Sequence, residues 1–195
     1  MLDRLADVPA LCPQFHISVQ SGCDRILKAM HRHYSCAEFE TLAAEIRKRF
    51  PNAALTTDIM TGFPGETDED HAETMEFVQR VRFAQMHVFR YSPRPGTKAA
   101  DAPCQVPERV KKLRADALAE LGVQMRTAFL ESCVGRTVNV LFERERGNGF
   151  HQGHAENYAS VRVPDIDGES RRGLILPVKI TGVTEGGLVG EIVRH

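Results

Sequence analysis

Residues 53 to 67 read AALTTDIMTGFPGET, and this stretch decides the fold of the chain. A strand-like run over residues 55–61 ends in a corner of glycine and proline, and acidic and capping residues then lead into a helix-like pattern. Glycine and proline let a ligand approach the main chain and fix the turn. Because α/β sheets and barrels place ligand sites at the carboxyl ends of strands, the stretch predicts a cofactor-binding loop.

Strand and helix patterns alternate on both sides of this stretch. Strands are predicted over residues 15–19, 55–61 and 85–91, and helices over 24–30, 37–50 and from Thr67 or Asp68 to about 82. This alternation implies parallel strands with helices outside, that is, an α/β fold. A long helix follows over residues 108–133, and Gly135 ends it. Its basic side is interpreted as a solvated face in preference to an RNA surface; the residues are Arg109, Lys111, Lys112 and Arg114.

The remaining third of the chain has a different character. Short strands are predicted over residues 137–143, 156–163, 174–183 and 188–193, with turns over 147–153, 165–168 and 185–187. This pattern is typical of a small antiparallel OB-like β-barrel of about sixty residues. The sequence therefore predicts two domains, with bounds at residues 1–134 and 135–195.

Composition excludes several classes of protein. Of the 195 residues 42% are hydrophobic, which is enough to form a hydrophobic core. The net charge is -1, so the composition shows no excess of basic residues that would indicate nucleic-acid binding. No apolar run reaches membrane-span length, and the first residues do not form a signal peptide. Five scattered cysteines do not make a disulfide framework or a metal-ligand cassette, so we expect a reduced, cytoplasmic protein with no metal site of its own.

Three predicted strand ends share one feature. HISVQSGC (residues 16–23), TTDIMTGFPGET (56–67) and HVFRYSPRPGT (87–97) each carry polar or glycine residues where a strand stops. Any one of them alone is explained by a buried strand with a turn. Because all three lie at the same end of successive parallel strands, a shared ligand site is the better interpretation.

In their order and amino-acid sequence these segments resemble the radical S-adenosylmethionine methylthiotransferases, and most closely the branch that modifies threonylcarbamoyladenosine in tRNA. The stretch HAENYASVRVP and the strands after it resemble the TRAM domain, a small RNA-binding β-barrel. The resemblance implies that residues 1–134 form the C-terminal half of a partial (β/α) barrel and that residues 135–195 form the TRAM domain.

The resemblance also implies an activity. Enzymes of this family carry two 4Fe-4S clusters and cleave S-adenosylmethionine to a radical that activates an adenine C–H bond for sulfur insertion, and a second cofactor molecule provides the methyl group. The cluster motif CxxxCxxC does not occur in this chain. We therefore expect the parent activity to be methylthiolation of N6-threonylcarbamoyladenosine beside the anticodon, and this chain alone to be inactive. The alternatives are a non-catalytic tRNA-binding module, or an enzyme acting on isopentenyladenosine or a ribosomal protein.

The family motifs assign cofactor contacts to all three strand ends, and no catalytic residue is assigned. The predicted cofactor-binding residues are Gln20, Ser21, Asp58, Gly62, Phe63, Pro64, Phe89, Tyr91 and Ser92.

The expected partner is the anticodon stem-loop of tRNA. The predicted RNA-binding residues are Arg94, Arg144, Arg146, Asn157, Tyr158, Arg171 and Arg172. An aromatic side chain can stack on a base and arginine can pair with phosphate, although an ordinary strand aromatic and solvated turn charges would look the same. A half barrel also leaves a parallel edge exposed at its first strand, which predicts self-association or pairing with a missing half.

Overall fold

The computed structural model describes residues 2–147, 149–166 and 168–193. Five helices and eight strands follow the chain in the order α1 (Leu2–Ala6), β1 (Gln14–His16), α2 (Asp24–Ala29), α3 (Cys36–Arg49), β2 (Ala54–Thr61), α4 (Asp68–Val81), β3 (Gln85–Arg90), α5 (Glu108–Glu131), β4 (Thr137–Gly147), β5 (Phe150–Ala155), β6 (Ser160–Pro164), β7 (Ile175–Thr184) and β8 (Gly187–Ile192).

Contacts divide the chain into two compact units. The sheet unit comprises Phe15–Arg49 and Leu55–Arg126, and the barrel unit comprises Met1–Gln14, Phe50–Ala54 and Thr127–His195. The domain bounds at 134 and 135 stay a prediction. No helix in the described ranges combines the length and the apolar character that crossing a membrane requires.

The sheet has the order β1-β2-β3, with β2 at its centre and parallel to β3. The predicted first strand extends beyond His16, where β1 ends. Over residues 17–19 the side chain of Thr57 in β2 bonds to its main chain: Thr57 Oγ1 accepts from Val19 N at 3.0 Å and donates to Ile17 O at 2.7 Å. Regular pairing resumes at Gln20, which bridges to Ile59. The predicted parallel α/β arrangement is therefore confirmed for these three strands.

Helices α3 and α4 cover one face of the sheet unit with an aromatic cluster. The ring of Phe39 lies 5.8 Å from those of both Phe77 and Phe83, centroid to centroid. All three side chains are buried, as are Ile46 and Val78. Burial of this apolar set fixes the helices against the sheet, and side-chain alternation along β2 places Thr56, Asp58 and Met60 on the face opposite to Leu55 and Ile59.

The barrel closes in the strand order β4-β5-β6-β8-β7, and β4 pairs with both β5 and β7. Its interior is filled by small and branched side chains from every strand, with Phe142 at the centre; the buried residues are Val140, Phe142, Ala155, Val161, Val163, Val178, Ile180 and Leu188, joined by Leu130, Cys133 and Ala159. The sequence predicts a small β-barrel with four strands, and the structure adds a fifth, β5, where a turn is predicted.

Three details of the predicted barrel are wrong. The expected turn over residues 147–153 is mostly strand, because β4 and β5 pair as far as Gly147 and Phe150. The expected strand over 156–163 begins only at Ser160, because Tyr158 adopts a left-handed conformation (φ 62°) in a tight turn. The barrel is also not wholly antiparallel, since β6 and β8 run parallel.

Candidate cofactor groove and RNA surface

The three strand ends meet at one rim of the sheet unit, as predicted, and border two adjoining clefts. The first, about 570 Å³, is lined by Phe63 and Pro64 of the GFPGET corner. The second, about 440 Å³, is lined by Phe89, Tyr91 and Ser92 at the end of β3, together with Arg94. Three residues line both clefts and make them one groove, namely Gln20, Met60 and Ala99.

Six of the nine predicted cofactor residues therefore line the groove: Gln20, Phe63, Pro64, Phe89, Tyr91 and Ser92. The prediction did not include Met60. Side chains alternate along a strand, so Met60 shares the face of Asp58 and the alternation alone would have pointed to it. The groove is bordered mainly by apolar side chains and by main chain at strand ends, which suits an adenosine-sized ligand.

Tyr91 carries an unsatisfied polar group at this groove. Its hydroxyl oxygen is buried and makes no hydrogen bond with any residue in the described part of the chain. The ring packs against Phe63, with centroids 5.4 Å apart, and Lys111 Nζ lies 5.3 Å from the ring centroid. Since a buried hydroxyl without a partner is costly, the hydrogen-bonding capacity of this atom is unmet among the described residues.

The GFPGET corner is held in place by α5. Gly62 has φ 71°, and a Cβ there would lie 2.2 Å from Lys111 Cγ, so only glycine fits. Glu66 Oε1 accepts from Gly62 N at 2.9 Å and from Arg114 Nη1 at 2.7 Å. Arg114 Nη2 also donates to Asp68 Oδ1 at 2.7 Å. Burial raises the pKa of the Glu66 carboxyl, and the ion pair with Arg114 opposes this effect.

Two residues of the basic side of α5 do not face solvent. Lys111 and Arg114 are buried, with 3% and 6% of their surface exposed, whereas Arg109 and Lys112 are exposed. Lys111 Nζ donates to Tyr91 O at 3.0 Å and to Glu108 Oε1 at 2.8 Å. The expectation of a solvated basic face is thus wrong for Lys111 and Arg114, because both cations hold strand-end backbone or carboxylates instead.

The QSGC corner is tied to α4 by a second polar cluster. Cys23 precedes α2 and donates its thiol to Asp70 Oδ1 at 3.2 Å, and Arg25 Nε donates to the same oxygen at 2.8 Å. Asp70 also closes a capping box with Thr67 at the start of α4. Gly22 admits no side chain because a Cβ would lie 2.7 Å from the Phe77 ring. Strands β1 and β2 are thereby joined just beyond their ends.

Three predicted cofactor residues lie elsewhere. Ser21 is buried and accepts from Cys23 N at 3.2 Å. Gly62 is covered by Lys111. Asp58 accepts from Ser18 Oγ at 2.6 Å, and its carboxylate lies 3.2 Å from His16 Nε2. It lies two residues before Met60, which is on the same face of the strand and lines the groove. The hydrogen bond from Ser18 lowers the pKa of the Asp58 carboxyl. Their direct cofactor contact stays a prediction.

Three of the five cysteines disfavour the thiolate form that binds iron. Iron is bound by thiolate, and burial raises the pKa of the Cys23 thiol to about 12. Burial likewise raises the pKa of the Cys36 and Cys133 thiols. Among the described residues, no group of three or more histidine, cysteine or acidic side chains is arranged to hold a metal ion.

The two RNA candidates in the β5–β6 turn have different environments. Tyr158 is 65% exposed, and its ring lies 6.3 Å from that of His154. Asn157 is buried: its amide donates to Asn52 O at 3.3 Å, and its carbonyl oxygen accepts from Ala159 N at 3.2 Å. Tyr158 is accessible to a base, while Asn157 shapes the turn that presents it.

Two of the predicted RNA arginines, Arg171 and Arg172, are not gathered around Tyr158. Arg171 and Arg172 lie in the connection after β6, whereas Tyr158 lies before β6, so they occupy opposite ends of that strand. Arg171 pairs with Glu169 at 2.9 Å. Arg94 lines the groove of the sheet unit instead. The side chains of Arg144 and Arg146 lie outside the described part of the structure.

Comparison with known proteins shows what the sequence is similar to. Residues 1–78 match the profile of the Radical SAM superfamily. Curated proteins named tRNA-2-methylthio-N(6)-dimethylallyladenosine synthase are similar over most of the chain. The protein from Pelotomaculum thermopropionicum is 41% identical over 192 residues, which cover 97% of this chain and 42% of that protein. Those from Corynebacterium efficiens and Ehrlichia chaffeensis are each 38% identical, over 93% and 94% of this chain and 36% and 42% of their own lengths.

The chain spans about two fifths of the length of these relatives. Their names do not support the threonylcarbamoyladenosine branch that the wording of the strand ends predicts. They do support the broader family. By sequence, the chain is similar to radical S-adenosylmethionine tRNA methylthiotransferases over part of their length.

Proposed function

We propose that the chain is the C-terminal part of a cofactor barrel, joined to a TRAM-like RNA-binding barrel, of a tRNA methylthiotransferase. The observation that carries the proposal is the convergence of the three strand ends on one groove beside the unsatisfied Tyr91 hydroxyl. Bound S-adenosylmethionine would supply the activating and methylating chemistry. The iron–sulfur clusters of the family would be held by residues other than those of this chain.

In this proposal the residues of the chain bind and orient the cofactor. Phe89 and Met60 offer apolar surface to the adenine ring, and the Tyr91 hydroxyl donates a hydrogen bond to the ligand. Glu66, Arg114 and Lys111 touch no ligand in this scheme; they hold the main chain of the corner at a fixed position. Rigid placement of the cofactor matters because small displacements reduce the rate of an oriented reaction steeply.

Cofactor binding is tested by saturation-transfer NMR with S-adenosylmethionine and the 195-residue chain. Phe89 is 39% exposed, and Phe89→Ala removes one stacking surface, so we expect about tenfold weaker binding. Phe150→Ala is the matched control, because Phe150 is 38% exposed but belongs to the barrel. Equal binding by both variants would contradict the assignment of the groove.

The modified nucleoside is part of the proposal. The names of the relatives favour dimethylallyladenosine, whereas the sequences of the QSGC corner and of the third strand favour N6-threonylcarbamoyladenosine. Nucleoside mass spectrometry of tRNA from the organism of origin, with this gene disrupted, separates the two. Loss of the 2-methylthio form of one nucleoside identifies the substrate, and survival of both forms would count against the enzyme class.

The exposed Tyr158 favours a second candidate function, a tRNA-binding module without chemistry. An exposed aromatic side chain on a closed barrel suits stacking of an unpaired base. In a mobility-shift assay with an anticodon stem-loop, we expect Tyr158→Ala to weaken binding by about tenfold and Tyr158→Phe to preserve it, because stacking needs the ring and not the hydroxyl. RNA binding that is indifferent to both changes would place the contact elsewhere.

A further inference from the structure

A separate cleft, distinct from the groove of the sheet unit, lies at one end of the barrel, where β5 begins and where β6 and β8 end. Its volume is about 700 Å³, within the usual range for small-molecule sites. Its apolar walls come from Val163, Leu176 and Ile192, and His151, Arg171 and Glu191 line it with polar groups. None of the groove residues of the sheet unit belongs to it.

The floor of this cleft contains a histidine whose ring has no hydrogen-bond partner among the described residues. His151 is only 2% exposed, and neither of its ring nitrogens makes a hydrogen bond with any described residue. Nε2 lies 3.4 Å from Asp165 Oδ1, close enough for an ion pair if the ring is protonated but outside hydrogen-bonding geometry. The ring of Phe142 packs edge-on against the imidazole, with the two ring centroids 6.2 Å apart. Because buried polar groups in proteins are nearly always satisfied, the ring points to a ligand.

The lining of the cleft identifies the chemistry of that ligand. The aliphatic walls suit the apolar faces of a ring, and the polar groups suit an edge that carries both donors and acceptors. The carboxylate of Glu191 only accepts, the guanidinium of Arg171 only donates, and the imidazole of His151 does either. A nucleobase meets all of these conditions.

We propose that the end of the barrel binds a single unpaired purine base, with a preference for guanine. Among the common bases only guanine has two adjacent N–H donors, which suit the Glu191 carboxylate, and its O6 and N7 accept from arginine. The base comes either from a tRNA loop or from a free nucleotide. The RNA source rests on the proposed function, whereas guanine binding itself does not.

The test is NMR of the 195-residue chain with its histidine side chains labelled. Titration with guanosine monophosphate is expected to shift the His151 ring signals, and adenosine monophosphate is expected to bind about tenfold more weakly. His151→Phe keeps the ring shape and removes both nitrogens, so the guanine affinity falls about tenfold or more. Glu191→Gln, at the exposed rim, is expected to abolish the preference for guanine even if His151→Phe fails to fold.

The matched control is His154→Phe. His154 lies on the same strand but is paired with Glu143 outside the cleft, so guanine binding should be unchanged. A tRNA anticodon stem-loop that shifts the same His151 signals supports the RNA source. Guanosine binding without a tRNA effect supports a free nucleotide and weakens the proposed function alone. If neither ligand shifts His151, or if both nucleotides bind equally to all variants, the proposal is wrong.

Discussion

At the scale of single residues, Asp70 connects two motifs that look independent in sequence. It completes the capping box of α4 with Thr67 after the GFPGET corner, and it accepts from Cys23 and Arg25 after the QSGC corner. Its side chain is 7% exposed, although that of Arg25 is 57% exposed. The hydrogen bond from Arg25 holds the pKa of the Asp70 carboxyl well below its usual range.

The first prediction concerns Asp70→Asn. The amide cannot accept at both positions, so we expect a loss of about 1–3 kcal/mol in the free energy of unfolding at neutral pH. Because the folded pKa is lowered, the contribution of Asp70 is present above its unfolded pKa of about 3.9 and is lost as the pH falls below it. Urea unfolding at neutral and acidic pH measures both effects.

The variant should therefore lose less stability than the wild type on acidification. Asp116→Asn is the control, since Asp116 forms an exposed pair with Lys112 and should change stability by less than about 0.5 kcal/mol. Parallel acid dependence of the wild type and Asp70→Asn would refute the role of the carboxylate.

At the scale of secondary structure, α5 positions the corner after β2. Its buried cation Arg114 meets the buried carboxylate of Glu66, with side-chain exposures of 7% and 5%. Neighbouring Lys111 reaches the main chain at the end of β3. One helix thus fixes two of the three strand ends that border the groove.

Arg114→Met is the second prediction. Removing one partner leaves the Glu66 carboxylate buried and unpaired, so we expect a loss of about 3–5 kcal/mol in unfolding free energy. Adding Glu66→Gln should recover part of it, because the uncompensated charge disappears. Lys112→Met, two residues away on the exposed face, should cost less than about 0.5 kcal/mol. Chemical denaturation of the wild type, the two single variants and the double variant measures these differences. If Arg114→Met were as stable as Lys112→Met, the ion pair of Arg114 with Glu66 would contribute nothing to stability.

Much of this arrangement could be predicted from the sequence, and the failures have physical causes. Periodicity and capping residues gave the strands and helices of the sheet unit, and Thr67 is the cap of α4. Burial of Lys111 and Arg114 could not be predicted, because their partners come from distant segments. In the barrel, glycines at residues 147, 149 and 153 predicted a turn, yet cross-strand pairing overrode that local preference.

At the scale of the whole molecule, the sheet presents strand edges. Among the described residues β1 pairs with β2 alone, and β3 lies at the other edge. Unpaired strand edges invite pairing with another chain. We therefore expect the 195-residue chain to self-associate with increasing concentration in sedimentation experiments, and monomers at every concentration would contradict this expectation.

The fourth prediction is that the chain alone performs no cofactor cleavage. The sequence contains no CxxxCxxC, and three of the five cysteines have raised pKa values that disfavour the thiolate. After anaerobic reconstitution we expect no stoichiometric iron or sulfide and no 5′-deoxyadenosine from S-adenosylmethionine, measured by metal analysis and chromatography. A cofactor-cleaving sample would overturn this prediction.

The closure of the barrel has a consequence for folding speed. Strand β4 must pair with β7, and β6 with β8, although these strands are far apart in sequence, before the interior of the barrel can form. Closing such loops loses entropy before any contact offsets it, and topologies rich in distant pairings fold slowly. The barrel should therefore mature after its β4–β5 and β7–β8 hairpins, and in that interval its open strands are exposed to misassembly with other chains.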